Sequence, residues 1–62
     1  MNTIGETIRT RRTQLGITQQ TLADLAHVGI NTIVAIERGT GNPSVLTLQK
    51  IVHVLGLELT IH

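Results

Sequence analysis

The stretch from Thr18 to Gly39, TQQTLADLAHVGINTIVAIERG, limits what this chain can fold into more than any other. Its first half opens on Thr18, a residue type that caps helices well, and continues with apolar residues at the three- and four-residue spacing of one helical face. These residues are Leu22, Leu25 and Ala26. The sequence HVG then interrupts the pattern at positions 27–29. We therefore expect a first short helix that ends before His27.

The second half of the stretch predicts another short helix, from Ile30 to Arg38, with Ile33 and Ile36 facing inward. Gly39 follows, and glycine is the residue best able to adopt the left-handed conformation that ends a helix. Each helix is too short to be stable alone, and a turn of about four residues joins them. Two such helices in succession are typical of a helix-turn-helix.

A further helix is predicted before this pair. It follows a capping box formed by Thr3 and Glu6, runs to about Gln14 and stops at Gly16. The residues expected on its core side are Ile4, Ile8 and Leu15.

The fourth predicted helix follows a polar loop, residues 40–43; it is capped by Ser44, runs to about Leu55 and stops at Gly56. It carries more apolar residues than one core-facing stripe needs, so something else must cover part of its surface. These apolar residues are Val45, Leu46, Leu48, Ile51, Val52, Val54 and Leu55.

The last six residues change to the two-residue period of a β-strand, because Leu57, Leu59 and Ile61 alternate with polar residues. A lone strand leaves its backbone groups unpaired, and the same strand of a second copy, antiparallel about a two-fold axis, would pair them. We therefore predict a homodimer held by Val54, Leu57, Leu59 and Ile61, with a frayed tail as the alternative. The predicted fold is all-α: four helices in a single domain, residues 1–62, plus this short C-terminal strand, residues 57–62.

The composition of the chain argues against several classes of function. The chain has 62 residues, a net charge of +1, no cysteine and three histidines that fit no metal-ligand spacing. So short a chain is marginally stable alone, so a partner subunit is the expected stabiliser. No nucleophile and base, carboxylate pair or cofactor loop is visible, and we expect neither an enzyme nor a bound cofactor or metal. The lack of a signal peptide or a membrane-length apolar run favours a cytoplasmic protein.

The chain also lacks Phe, Tyr and Trp, the side chains on which single-stranded nucleic acids and RNA loops stack. If nucleic acid is the partner, we therefore expect double-stranded DNA.

Four landmarks occur in order along the chain: LGITQQTLA at residues 15–23, Val28 in the turn, IERG at residues 36–39 and NPS at residues 42–44. From about Ile4 to Leu55 the chain thereby resembles the Cro/cI-type (XRE) family of bacterial and phage repressors. The resemblance implies a lambda-repressor-like domain that binds a palindromic operator in double-stranded DNA and represses transcription.

In this family the recognition helix enters the major groove by its N-terminal end. The resemblance implies DNA contacts from Thr18, Gln19, Gln20, Gly29, Ile30, Asn31, Thr32, Val34 and Ala35. Asn31 can make two hydrogen bonds to adenine, and Gln19 lies where the family often uses glutamine against a phosphate and a base edge. Ile30, Val34 and Ala35 offer only apolar contacts, such as those to thymine methyl groups. The alternative for Ile30 and Val34 is packing on another protein surface.

The arginines of the first helix have two predicted roles. Arg9 and Arg11 either contact phosphates or form a solvated basic face. Arg12 occupies the position of a family arginine that pairs with the glutamate ending the recognition helix, here Glu37, so we expect a structural ion pair.

The sequence LGL before the predicted strand is similar to that of the HipB-type antitoxins, which repress their own operon and hold a kinase toxin inactive. This similarity implies a toxin protein as a further partner. The competing hypothesis is a protein-interaction module that keeps the fold but no longer reads DNA. The low net charge and the apolar Ile30 and Val34 favour it.

Overall fold

The computed structural model describes residues 3–57 and contains four helices there: α1 (Ile4–Gln14), α2 (Gln19–Ala26), α3 (Ile30–Arg38) and α4 (Val45–Val54). These bounds confirm the predicted all-α fold. Residues 3–57 contain no strand. Of the predicted strand, only Leu57 belongs to the described part of the chain, while Leu59 and Ile61 lie outside it, so the pairing across a dimer stays a prediction.

Three of the helices begin at the predicted capping residues. The hydroxyl oxygens of Thr3, Thr18 and Ser44 accept hydrogen bonds from the backbone N–H three residues later, at 3.0–3.2 Å. Each bond satisfies one of the amides that a helix leaves unpaired at its start. The remaining helix, α3, follows Gly29, which has no side chain that could accept such a hydrogen bond.

All four helices end with a residue in the left-handed conformation. At three of the ends this residue is glycine: Gly16, Gly39 and Gly56. At the end of α2 it is His27, with φ +57°, and the N–H of Val28 donates to the carbonyl oxygen of Ala23 at 3.0 Å. Since this conformation costs a side-chain-bearing residue about 1–2 kcal/mol, the helix-turn-helix holds a strained turn at His27.

The core lies where α2 packs against both α3 and α4 and where α1 packs against α3. Its buried apolar residues are Ile8, Leu22, Ala23, Ala26, Ile33, Ile36, Ile51, Val52 and Leu55. The predicted inward positions of Ile33 and Ile36 are therefore confirmed.

Three residues predicted to face the core are largely exposed. Leu25 is 55% exposed, because the buried face of α2 runs through Leu22, Ala23 and Ala26 and its centre lies about 110° around the helix from Leu25. Ile4 and Leu15 are each 44% exposed. Ile4 is the first residue of α1 and Leu15 follows its last, so each has residues of its own helix on one side only.

A glycine takes the inner position at the start of α1. Gly5 is buried, and a Cβ added there would collide with the carbonyl oxygen of Ile36 and lie 3.3 Å from the Cα of Glu37. The first turn of α1 thus rests directly on the backbone of the last turn of α3. Only a residue without a side chain permits this approach.

Candidate nucleic-acid interface

A buried ion pair holds the helix-turn-helix against α1. The Nε and Nη2 atoms of Arg12 donate to the two carboxylate oxygens of Glu37 at 2.7 and 3.0 Å. The third donor, Nη1, binds the carbonyl oxygen of Ile17 at 2.9 Å. Because Ile17 precedes the cap of α2 and Glu37 lies near the end of α3, one guanidinium fixes α1, α2 and α3 relative to one another. The predicted Arg12–Glu37 contact is present in the structure.

The side chains of this pair are 12% and 4% exposed, respectively. The hydrogen bond to Glu37, with its negative charge as a smaller contribution, raises the pKa of Arg12 above its ordinary value, although burial acts in the opposite direction. The guanidinium of Arg12 therefore stays charged, and removing one partner of the pair would leave a charge buried without compensation.

Gln19, the first residue of α2, takes part in the same network. Its Nε2 atom donates to Oε1 of Glu37 at 3.2 Å. The half-buried side chain of Gln19 thus spans from the start of α2 to the end of the recognition helix α3. Sequence reasoning identified Gln19 as a contact residue but did not predict this bond.

An open cleft of about 420 Å³ lies between α1, α2 and α3 beside this network. Arg9, Gln19 and Val34 line it, and these three predicted contact residues are therefore brought together. Arg38 lines the same cleft and was not predicted as a contact. The sequence signal that could have identified Arg38 is its place as a basic residue in the last turn of the recognition helix. Arg9 and Arg38 are both exposed, and neither forms an ion pair within residues 3–57.

The N-terminal end of α3 presents a small apolar and polar surface. Ile30 and Asn31 are exposed there, next to the exposed cap residue Gly29. Val34 lies one turn further along and is half-buried. Since residues three and four apart are neighbours on a helix surface, Ile30 and Asn31 lie beside Val34 and form one continuous face.

Asn31 also lines a groove of about 320 Å³ on the other side of α3, together with Thr32, Ala35 and the loop that follows the helix. In this groove Ala35 is half-buried, and a Cβ added to Gly41 would lie 3.4 Å from the Cβ of Ala35. Ala35 therefore faces the loop as well as solvent. Less of its surface is accessible to a binding partner than that of the exposed Asn31.

The remaining predicted contact residues lie in two places. Thr18 and Gln20 are exposed at the start of α2, where the Nε2 atom of Gln20 donates to Asp24 at 2.8 Å. Arg11 lies beside the end of α4, where its Nε atom donates to the carbonyl oxygen of Leu55 at 2.9 Å. The structure thus gives Arg11 a capping contact at the end of α4, and its role as a phosphate contact stays a prediction.

The family model described as helix-turn-helix matches residues 8–61. The chain belongs to this family. The match confirms the resemblance to the Cro/cI-type (XRE) proteins, and the family and fold are those of DNA-binding transcriptional regulators. Within the described residues 3–57, no helix is long and apolar enough to cross a membrane, and no group of three or more His, Asp or Glu side chains could hold a metal ion.

Two known proteins are similar over most of the chain. An uncharacterised HTH-type transcriptional regulator of Methanothermobacter thermautotrophicus is 41% identical over 51 residues, which cover 82% of this chain and 74% of that protein. The crystal structure of the restriction-modification controller protein C.AhdI from Aeromonas hydrophila matches with a TM-score of 0.84 and 33% identity. This structural match covers 89% of the present chain and 83% of C.AhdI.

Proposed function

We propose that this member of the helix-turn-helix family is a sequence-specific repressor that binds a palindromic operator in double-stranded DNA as a homodimer. One observation carries the proposal: the exposed face at the start of α3 adjoins a cleft that is lined by Gln19 and by two arginines, Arg9 and Arg38, neither of which forms an ion pair within residues 3–57. Groups that can read bases and groups that can bind phosphates thus occupy one side of the domain.

The base contacts proposed for this surface favour A·T pairs. The exposed carboxamide of Asn31 has the donor and acceptor that match adenine in the major groove. Ile30 and Val34 can contact thymine methyl groups but form no hydrogen bonds with guanine or cytosine. We therefore expect an operator with A/T-rich half-sites.

The proposed phosphate contacts come from both edges of the recognition helix. Arg9 of α1 and Arg38 at the end of α3 are exposed, and the exposed Thr18 adds a hydroxyl and the backbone amides of the α2 N-terminus. Two arginines per subunit are few for a DNA-binding domain, in keeping with the net charge of +1. Base and apolar contacts must then supply an unusually large share of the affinity.

The proposed dimer rests on the apolar surface of α4 and the residues that follow it. Leu46 is 63% exposed and Val45 50% exposed, and Val54 and Leu57 are half-buried. The predicted interface consists of Val54 and Leu57 together with Leu59 and Ile61. Two copies related by a two-fold axis would place two recognition helices about 34 Å apart, one turn of DNA.

Sedimentation velocity tests this dimer. We expect Val54→Lys to shift the protein from dimer to monomer, while the lysine stem still covers apolar neighbours and its charge reaches solvent. Gln49→Lys, at an exposed polar position of α4, is the matched control and should leave the dimer intact. A wild-type monomer, or a monomer produced equally by Gln49→Lys, would contradict the proposed interface.

The regulated gene is proposed to be the protein's own. The similarity to a restriction-modification controller protein supports a role in setting the expression of a small genetic unit. The HipB-type role, with a toxin as second partner, is a narrower version of the same proposal. Co-purification of a toxin encoded by the neighbouring gene would distinguish the antitoxin from a regulator that acts alone.

Selection from a pool of randomised duplexes tests the proposed function. We expect enrichment of a palindrome with A/T-rich half-sites about one helical turn apart. Asn31→Ala should lose this enrichment, whereas Gln49→Ala, which removes an exposed carboxamide from α4, should keep it. If the wild type enriches no sequence, the DNA-reading proposal fails, and the face formed by Ile30 and Val34 becomes a candidate protein-binding surface.

A further inference from the structure

The ion pair between Arg12 and Glu37 is complete without the hydrogen bond that Gln19 donates to Glu37. Arg12 already donates to both carboxylate oxygens of Glu37, at 2.7 and 3.0 Å. The amide of Gln19 adds a third donor, at 3.2 Å, to the same oxygen that accepts from Nη2 of Arg12. The contact joins the first residue of α2 to the recognition helix, at the wall of the cleft that Val34 also lines.

The chemistry of the two groups fixes the orientation of the Gln19 amide. An ionised carboxylate carries no proton and can only accept hydrogen bonds, whereas a carboxamide offers NH2 at one end and a carbonyl oxygen at the other. Both oxygens of Glu37 accept hydrogen bonds from Arg12, and Gln19 accordingly directs its NH2 group toward this acceptor. Its carbonyl oxygen and its second N–H have no hydrogen-bond partner within residues 3–57, so they can bind a ligand.

These two remaining groups match adenine and oppose guanine. In the major groove adenine offers the N6 amino group as donor and N7 as acceptor, while guanine offers two acceptors, O6 and N7. An amide with a fixed carbonyl oxygen and one N–H satisfies adenine, but places oxygen against oxygen at guanine. An amide free to rotate could instead donate to guanine through its NH2 group.

We propose that Glu37 is a positioning residue that fixes the amide of Gln19, so that Gln19 discriminates adenine from guanine at one base pair of each half-site. The inference rests on the proposed DNA-binding function. The side chain of Glu37 is only 4% exposed, so it offers almost no surface for direct contact with DNA. The same carboxylate therefore has two roles: it pairs with Arg12 to hold the helices together, and it sets which atoms of Gln19 face the groove.

The test measures base discrimination with the selected operator and with variants in which single A·T pairs are replaced by G·C. For the wild type we expect one position per half-site, other than that read by Asn31, at which the replacement weakens binding by about tenfold to a hundredfold in a way that depends on Gln19. Gln19→Ala should abolish the discrimination at that position.

The decisive protein is the double variant Arg12→Met/Glu37→Met. Replacing both partners of a buried ion pair by apolar residues of similar size is often tolerated, unlike replacing one. We expect the double variant to lose discrimination at the Gln19 position alone and to keep it at the Asn31 position. Adding Gln19→Ala to the double variant should then weaken binding to the A·T and G·C operators equally, because a freely rotating amide can form hydrogen bonds with either base.

A purely structural role of Glu37 gives a different pattern. It would weaken binding evenly at all base pairs, and either an even loss or retained discrimination at the Gln19 position overturns the inference. If the wild type itself selects no operator, the proposed function fails first. If the wild type reads its operator and the double variant discriminates as well as the wild type, only the positioning role fails.

A measurement on the wild type keeps the inference testable should the double variant not fold. In NMR spectra the side-chain N–H of Gln19 bound to Glu37 should exchange with water more slowly than the side-chain N–H groups of Gln14 and Gln49, two exposed glutamines. Equal exchange rates for the three amides would show that the Gln19 amide is not held, and would overturn the proposal.

Discussion

Replacing Gly5 by alanine tests the contact between α1 and α3. At an exposed position inside a helix, replacing glycine by alanine stabilises the folded state by about 1 kcal/mol. Here the new Cβ would collide with the carbonyl oxygen of Ile36 and lie 3.1 Å from the carbonyl carbon. Backbone cannot rotate away as a side chain can, so the overpacking cost should approach the upper end of the usual range, about 3 kcal/mol. The net expectation is a destabilisation of about 2 kcal/mol.

Circular dichroism during thermal and urea unfolding measures this effect. For a domain of this size, 2 kcal/mol corresponds to a fall in Tm of about 8–16 °C. Thr10→Ala, at an exposed position of the same helix, is the matched control and should leave Tm unchanged or raise it slightly. A Gly5→Ala protein with an unchanged or higher Tm would refute the close approach of the two helices.

Three further outcomes are expected. His27→Gly should raise the free energy of unfolding by about 0.5–1 kcal/mol in urea titrations, because relief of the left-handed strain exceeds the extra entropy of glycine in the unfolded chain; a loss of stability would contradict this. Arg12→Ala should lower the free energy of unfolding by about 3–5 kcal/mol, because Glu37 would be left as a buried, uncompensated charge. A loss below about 1 kcal/mol would refute the argument from burial. Arg9→Ala should reduce the slope of log K against log salt by about 2 per dimer, whereas Lys50→Ala on α4 should not; equal slopes for Arg9→Ala and the wild type would exclude Arg9 as a phosphate contact.

The helices and their ends could be predicted because their signals are local. Thr18 and Ser44 precede the apolar periodicity of α2 and α4, and each side chain caps the helix that follows it. Gly16 and Gly56 mark the ends of α1 and α4, since glycine adopts the left-handed conformation at little cost. Such features depend on a few neighbouring residues, and sequence alone contains them.

The positions of individual side chains were less predictable, because they depend on which elements meet. Leu25 has the spacing of a core residue, yet the core of α2 is centred on Leu22 and Ala23, and Leu25 is exposed. The burial of Gly5 follows from how α1 crosses α3, which no local pattern encodes. His27 gave no sequence signal for its left-handed conformation either, since glycine is the usual residue there.

The contacts of the candidate site were likewise predictable only in part from the sequence. The Arg12–Glu37 pair was predicted by family resemblance, because both positions of the motif are filled. The bond from Gln19 to Glu37 was not, since it joins residues 18 positions apart and depends on the distance between two helix ends. Arg9 and Arg11 were indistinguishable in the sequence, and only the packing of α1 separates the arginine in the cleft from the one at the end of α4.

The central claim, that the chain reads DNA by sequence, is tested most directly by a fluorescence-anisotropy titration. The protein is titrated against the duplex upstream of its own gene and against a scrambled duplex of equal length, at two salt concentrations. We predict binding about 100-fold or more tighter to the native sequence, with two subunits per site. Equal, weak binding to both duplexes would contradict the claim.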